Sequence, residues 1–337
     1  MTNPVIQITP LGFPWETSDP FLFCVHHEDF YPKGNKKLGP DVSLEGRNLG
    51  NDFNIKDGFR MYHGETVPGF PAHPHRGFET VTIAKKGLVD HSDSIGAAGR
   101  FGNGDVQWMT AGRGVQHAEM FPLLNQKEEN PFELFQIWLN LPKVKKMADP
   151  HFAMLWKEDI PVYVYKDKNG FGTKIDLIAG QMEGVTAPSP APDSWAADPK
   201  NEVAIWTIKM EANATFQLPK ASEGINRRLY FYKGGAMKVA DKDIPTYHAA
   251  RLQAEGEVML ENGEEDSFLL LLQGRPIAET VVQHGPFVMN TAQEIQNTMN
   301  VFQATQFGGW PWPTYDHVHP HHEGRFAKFA DGTLVKK

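Results

Sequence analysis

The sequence contains a single cysteine, Cys24, in a chain of 337 residues. One thiol cannot form a disulfide within the chain, and Cys24 lies in an apolar run typical of a buried strand, so we expect a reduced thiol in a cytoplasmic protein. No apolar run is long enough to span a membrane, and the N-terminus has no basic segment followed by an apolar core. We therefore expect no membrane as a partner.

Basic clusters are also missing. The chain carries 33 lysines and arginines against 41 aspartates and glutamates, a formal net charge of −8. Proteins that bind nucleic acids usually present a basic patch, so this charge argues against a direct nucleic-acid partner. The 31 glycines and 25 prolines favour many short strands and turns over a helical bundle.

Short apolar segments of strand length, separated by turn residues, fill both halves of the chain. A chain of this length exceeds what one hydrophobic core usually serves, so two domains are expected. We predict an all-β fold with a first domain over residues 1–142, a second over 143–305, and an extended tail over 306–337. The segments that carry this prediction include FLFCVHH, FETVTIAKKG, GDVQWMTAG, FELFQIWLNLP, EVAIWTIKM and DSFLLLLQGRP.

One helix is predicted near the C-terminus. Thr291 and Glu294 have the spacing of a capping box. Apolar residues then recur at i, i+4 and i+7 on one face until two glycines stop the helix. These apolar residues are Ile295, Met299 and Phe302.

Histidines and glutamates recur at two-residue spacing in two strand-like segments. PAHPHRGFETVT (71–82) contains His73, His75 and Glu79, and GRGVQHAEM (112–120) contains His117 and Glu119. Side chains at i, i+2 and i+4 of a strand share a face, so we predict that each segment presents its donors together. A lone His-x-His is more often a solvated pair, but three imidazoles with a carboxylate suit Fe(II), Mn, Cu or Zn. The spacing alone does not distinguish Glu79 from Glu119 as the fourth ligand.

These motifs resemble those of the cupins, although Gly87 falls one residue late and Thr110-Ala111-Gly112 replaces the usual Pro-x-Gly turn before His117. The runs HPHRGFETVT, GDVQWMTAGRGVQHAEM and GPFVMNT closely resemble the pirin family, as do DPFL and GRPIAE. The resemblance implies two cupin barrels of the jelly-roll (double-stranded β-helix) type, with metal in the N-terminal barrel only.

The resemblance also implies a ligand set and an activity. The iron ligands of the family fall on His73, His75, His117 and Glu119, which leaves Glu79 to orient an imidazole or a bound water. Fe(II) is the expected metal, with Mn, Cu, Ni, Co or Zn as alternatives. Pirin relatives are associated with quercetin 2,3-dioxygenase activity, the oxidative ring opening of a flavonol. We expect a monomer acting on a small aromatic substrate and O₂, with Glu119 or Glu79 as the proton acceptor.

The resemblance is also consistent with a second function. The family includes a nuclear regulator whose iron oxidation state changes its affinity for transcription factors. The alternative is therefore a non-catalytic, iron-dependent redox sensor that binds protein partners, for which an acidic surface could dock a basic partner. A third possibility, a scaffold cupin without metal, conflicts with the intact histidine motifs.

Several nearby polar residues have simpler expected roles. We expect Arg76 to form a salt bridge at the rim, in preference to holding an anionic substrate. His91 and Asp93 are expected in a surface turn, with an approach to the metal site as the alternative. The histidines of HVHPHH (317–322) are expected to be solvated or to bind metal adventitiously.

Overall fold

The computed structural model describes residues 3–337, in which antiparallel strands are the main regular elements. The first strands are β1 (Val5–Pro10), β2 (Phe21–Tyr31), β3 (Gly69–His75), β4 (Phe78–Lys86), β5 (Leu88–Asp93), β6 (Ala98–Gly102), β7 (Val106–Thr110), β8 (Val115–Met120), β9 (Asn130–Asn140), β10 (His151–Leu155), β11 (Val162–Lys166), β12 (Gly172–Ala179) and β13 (Gln181–Met182). The others are β14 (Val185–Thr186), β15 (Ala204–Met210), β16 (Thr215–Leu218), β17 (Asn226–Lys233), β18 (Ala236–Val239), β19 (Lys242–Pro245), β20 (His248–Leu252), β21 (Val258–Asn262), β22 (Ser267–Gly274), β23 (Val282–His284), β24 (Phe287–Met289), β25 (Phe326–Lys328) and β26 (Leu334–Lys336).

The predicted helix is confirmed as α1 (Ala292–Thr305). The Glu294 amide donates to Thr291 Oγ1 at 3.2 Å, and the Thr291 amide donates to Glu294 Oε2 at 2.9 Å, which is the reciprocal pair of a capping box. The helix ends where Gln306 adopts a left-handed conformation with φ 50°. Within residues 3–337, no helix is both long and apolar enough to cross a membrane.

Packing divides the chain into two compact units. The first, here called the histidine unit, contains residues 26–137, 141–157 and 279–337. The second unit contains the described residues up to 25 together with 138–140 and 158–278.

The histidine unit is built on two antiparallel sheets. One has the strand order β26-β25-β6-β5-β8-β3, and the other has the order β10-β7-β4-β9-β2. Alternate side chains of a strand point to opposite faces, so the inward-facing residues form a shared apolar core. Its buried members include Phe59, Met61, Ala84, Val89, Phe101, Phe121, Leu134 and Phe152.

The second unit repeats this architecture. A seven-stranded sheet with the order β1-β20-β17-β22-β15-β12-β11 accompanies a four-stranded sheet with the order β16-β21-β18-β19. Both sheets contribute to one core, which confirms the all-β prediction of two sandwich-like barrels. The core includes Ile175, Leu177, Trp206, Ile208, Leu218, Leu229, Leu260, Leu269 and Leu271.

The residues that make up each unit differ from the domains predicted with boundaries at residues 142 and 305. The N-terminal segment belongs to the second unit because β1 pairs with β20, with Val5 opposite Leu252. The helix and tail belong to the histidine unit, where β25 extends the six-stranded sheet by pairing with β6. Local sequence patterns do not encode such pairings between distant strands.

Candidate metal centre

Two neighbouring strands, β3 and β8, bring three histidines together. They pair antiparallel with His73 opposite His117, and a register shift lies between Phe70 and His73. The ring centroids of His73 and His117 are 4.5 Å apart, and His75 lies 4.8 Å from His73 and 4.9 Å from His117. One nitrogen from each ring lies within 4.8 Å of the other two. The three imidazoles thus form a group that can hold a metal ion.

Burial keeps these imidazoles neutral. His117 is fully buried, and burial together with the neighbouring histidines holds its pKa well below the usual value. The same causes lower the pKa of His75, and burial lowers the pKa of His73 to about 4. A neutral imidazole has a lone pair on one nitrogen, which is the form that binds metals. The group is therefore ready to bind a cation at neutral pH.

A hydrogen bond determines which ring nitrogen of His73 can bind a metal ion. Its Nδ1 lies 2.9 Å from the Pro71 carbonyl oxygen, which can only accept, so Nδ1 carries the proton and Nε2 carries the lone pair. A backbone carbonyl in this position is the usual way to orient a metal-binding histidine.

The ring nitrogens of His117 give the clearest indication that this site binds a ligand. Neither of its ring nitrogens has a hydrogen-bond partner among residues 3–337, although both are buried. Leaving a buried polar group unsatisfied costs about 1–3 kcal/mol. A metal ion bound to one of these nitrogens would remove part of that cost, and imidazole donors suit Fe, Zn, Cu and Ni.

Glu119 lies beside the histidines but is held by other residues. Its Oε1 accepts from Thr82 Oγ1 at 2.9 Å, and its Oε2 accepts from Gln136 Nε2 at 3.1 Å. Oε2 is 3.7 Å from His117 Nε2, outside hydrogen-bond distance. Burial raises the pKa of Glu119, and the bond from Thr82 opposes this rise. The carboxylate is therefore near the triad, with its orientation set by two neutral donors.

The position of Glu79 in the sequence predicted that it continues the strand that bears His73 and His75. The structure places it on a different strand. Strand β3 ends at His75, and Gly77 turns the chain with φ 88° before β4 begins. Glu79 lies on β4 opposite Thr110, is fully buried, and accepts from Thr110 Oγ1 at 2.7 Å. The in-phase interpretation is wrong because a glycine turn separates the two strands.

His91 and Asp93 lie in the buried interior, so the expectation of a surface turn is wrong. On β5, His91 is opposite Glu119 and Asp93 is opposite His117. His91 Nε2 is 3.2 Å from Asp93 Oδ2, and the His91 ring lies 5.6 Å from the His117 ring. The two-residue spacing of His91 and Asp93 was the available signal, since it matches that of the metal motifs.

Among residues 3–337, Arg76 has no acidic partner, so the prediction of a rim salt bridge is wrong. It is buried, its Nε donates to the Arg113 carbonyl oxygen at 2.6 Å, and its guanidinium lies 4.6 Å from the centre of the Phe307 ring. Nη1 contacts Thr298 Oγ1 at 3.3 Å. Arg76 thus fixes the turn after His75 against α1 and the residues that follow it.

The histidines of the tail are not all exposed to solvent. His319 is buried, its amide donates to Asp90 Oδ2 at 2.8 Å, and its Nε2 donates to the His91 carbonyl oxygen at 2.9 Å. His321 and His322 are exposed, as predicted for the whole run. The difference arises because the tail packs along β5 and β6.

Two β-sandwich units, one of them with three converging imidazoles, define a two-domain cupin. The Pirin family model matches residues 17–139, and the model of the pirin C-terminal cupin domain matches residues 205–308. The chain belongs to the pirin family.

Relatives with known names agree with this assignment. Mouse Pirin is 34% identical over 255 residues, which cover 74% of this chain and 81% of that protein. A Pseudomonas aeruginosa protein, provisionally named as a quercetin 2,3-dioxygenase, is 35% identical over 240 residues, covering 70% of this chain and 79% of that protein. The crystal structure of quercetin 2,3-dioxygenase from Acinetobacter baumannii has a TM-score of 0.69 and 28% identity, covering 91% of this chain and 98% of the other.

The lowered histidine pKa values predict a pH-dependent stability of the metal-free protein. The unfolded chain takes up protons near pH 6.5, whereas folded His73 does so only near pH 4, so stability is present above pH 6.5 and is lost as the pH falls towards 4. For His73 this change should lower the free energy of unfolding by about 2 kcal/mol between pH 7 and pH 5. Urea unfolding at both pH values, with a chelator present, measures this change.

His73→Gln should reduce that pH dependence, whereas His284→Gln, at an exposed position of the same unit, should leave it unchanged. Equal pH dependence for the wild type and His73→Gln would contradict the assignment of buried neutral imidazoles.

Proposed function

We propose that the histidine unit binds a divalent metal ion through His73, His75 and His117, with Glu119 Oε2 as the fourth ligand. The observation that carries this proposal is the convergence of three imidazoles, two of them buried and one half-buried. One of the buried rings, His117, has no hydrogen-bond partner among residues 3–337. We propose Fe(II) as the native metal because imidazole and carboxylate donors together suit it, with Mn, Cu, Ni, Co or Zn as alternatives.

The proposed reaction is the oxidative ring opening of a flavonol, or a similar aromatic compound, by O₂. It is supported by the names of the relatives, which include quercetin 2,3-dioxygenases with known structures. A bound Fe(II) would supply Lewis acidity towards the substrate hydroxyl and redox chemistry with O₂. The protein residues supply binding, orientation and proton transfer.

Glu119 is the first proposed proton acceptor for the substrate hydroxyl. Burial raises its pKa, and a carboxylate whose pKa is closer to neutrality is a better general base. The hydrogen bonds from Thr82 to Oε1 and from Gln136 to Oε2 orient the carboxylate so that Oε2 lies 3.7 Å from His117 Nε2. Glu79, buried and bound by Thr110, is the second proposed acceptor.

Aromatic side chains around the histidines support an apolar substrate site. The Phe78 ring lies 5.0 Å from the His75 ring, Phe70 lies 6.3 Å from His73, and Phe152 stacks on His91 at 5.1 Å. Such surroundings exclude water and strengthen electrostatic interactions at the reacting atoms.

The proposal predicts that His117→Ala removes both metal and activity. Loss of a buried ligand should reduce metal content from about one ion per chain to background, and flavonol turnover should fall at least 100-fold. Elemental analysis of untagged protein, with flavonol loss and CO release measured after Fe(II) loading, tests both effects. His284→Ala, at an exposed position of β23, is the control and should match the wild type.

The possible outcomes separate the claims. Unchanged metal content in folded His117→Ala would contradict the metal site. Metal without turnover of any of several flavonols would remove the substrate claim and favour the redox-sensing regulator. For that function, capture of protein partners should differ between the reduced and oxidised forms of the iron-loaded protein.

The hydrogen bond from Thr82 to Glu119 generates a separate prediction. Thr82→Val removes the donor to Oε1 with little change of shape, so Glu119 should lose its orientation, and metal affinity should fall about 10-fold. Thr80→Val is a matched control two residues away on β4, because the buried Thr80 hydroxyl has no partner among residues 3–337. Isothermal titration with Co(II) measures both variants, and equal affinities would exclude a role for Glu119 as a ligand positioned by Thr82.

We also propose a cytoplasmic location. It is supported by Cys24, which is fully buried, and whose thiol pKa is raised by burial, so that it stays in the unreactive protonated form.

A further inference from the structure

Residues 306–328 form a continuous segment along the histidine unit, here called the C-terminal strap. It begins after α1 and ends with β25, which pairs with β6. The matched pirin C-terminal domain ends at residue 308, so nearly all of the strap lies beyond the region that defines the family. Its contacts must be explained from this chain itself.

The strap binds the strands that carry the metal site at positions next to the histidines. The Ala72 amide, immediately before His73, donates to the Tyr315 carbonyl oxygen at 2.8 Å. Gln116, immediately before His117, donates from Nε2 to the Gln306 carbonyl oxygen at 2.7 Å. One segment therefore contacts both β3 and β8 beside their metal-binding residues.

A third contact involves the strand next to β8. Trp312 Nε1 donates to the Asp93 carbonyl oxygen at 2.8 Å, and Asp93 lies opposite His117 in the sheet. Since His117 also lies opposite His73, the strap makes contacts along the row of paired residues that contains two of the three imidazoles.

A buried ion pair anchors the other end of the strap. Arg100 is fully buried and pairs with Asp90 through Nε–Oδ1 at 2.7 Å and Nη2–Oδ2 at 2.8 Å. Its remaining donors bind strap carbonyl oxygens, and a buried guanidinium without acceptors would be costly. Deleting the strap would therefore destabilise the unit as a whole, and only point variants test a local role. The carbonyls belong to His319, Pro320 and Glu323, at 2.9, 2.9 and 2.8 Å.

We infer that the strap is a structural part of the metal centre, in which Trp312 and Gln116 act as positioning residues for His117, and the Tyr315 carbonyl holds β3 beside His73. The strap fastens β3, β8 and β5 in the register at which the imidazoles face a common point. This inference rests on the proposed metal site. The strap lies outside the region matched by the family models, and its contacts determine how tightly the site holds the ion.

The test compares two tryptophans of the strap. Trp312→Phe keeps an aromatic ring but removes the donor to Asp93. Trp310→Phe is the matched control, because Trp310 Nε1 donates to Thr314 within the strap itself. Full-length, chelator-treated protein is titrated with Co(II), and both the dissociation constant and the visible ligand-field bands are recorded, because these bands respond to ligand geometry and not to overall stability.

Trp312→Phe should weaken Co(II) binding about 10-fold and shift the ligand-field bands, whereas Trp310→Phe should match the wild type in both. Gln116→Met, which removes the donor to Gln306, provides a second test with the same expected result. Urea unfolding of each variant shows that it is folded.

The outcomes distinguish this inference from the proposed function. Wild-type affinity and bands in both Trp312→Phe and Gln116→Met, with Co(II) binding still abolished by His117→Ala, would overturn the inference and leave the metal site intact. A wild-type protein that binds no Co(II) at the histidines would overturn both.

Discussion

The antiparallel register of β3 against β8 is the constraint on which the candidate metal centre depends. It places His73 opposite His117, with the two ring centroids 4.5 Å apart, and the two-residue spacing on β3 brings His75 to the same place. A slip of one residue would turn the side chains of one strand to the opposite face. The shift between Phe70 and His73 shows that this register is locally adjusted.

The electrostatic surroundings then determine the protonation state of the histidines that this register brings together. Burial, together with the nearness of the other imidazoles, lowers the pKa values of His75 and His117, so these rings keep a lone pair. Carboxylates occupy neighbouring positions, with Glu119 beside His117 on β8 and Asp93 opposite it on β5. The result is a site that favours a cation over protons.

The convergence of the three candidate metal-binding histidines was largely predictable from the sequence, whereas their surroundings were less so. Two-residue spacing predicted that His73 and His75 share a face, and capping-box spacing predicted the start of α1; both patterns are local. The same spacing failed for Glu79, because the turn at Gly77 ends β3 before it is reached.

Contacts between distant segments could not be predicted from local patterns. The burial of His91 and Asp93 depends on β5 lying next to β8, and the ordering of the tail depends on β25 pairing with β6, more than 200 residues away in sequence. No periodicity within these segments records their partners. The bulk composition likewise predicted an all-β chain but not the way in which its termini are shared between the two units.

The most direct test of the account is the position of the ion itself. Crystals of Fe(II)-loaded protein, with anomalous differences recorded on both sides of the iron absorption edge, would locate it without reference to activity. We expect a single strong peak per chain, bonded to nitrogens of His73, His75 and His117. A peak at the exposed tail histidines, or none in crystals shown to contain iron, would contradict it.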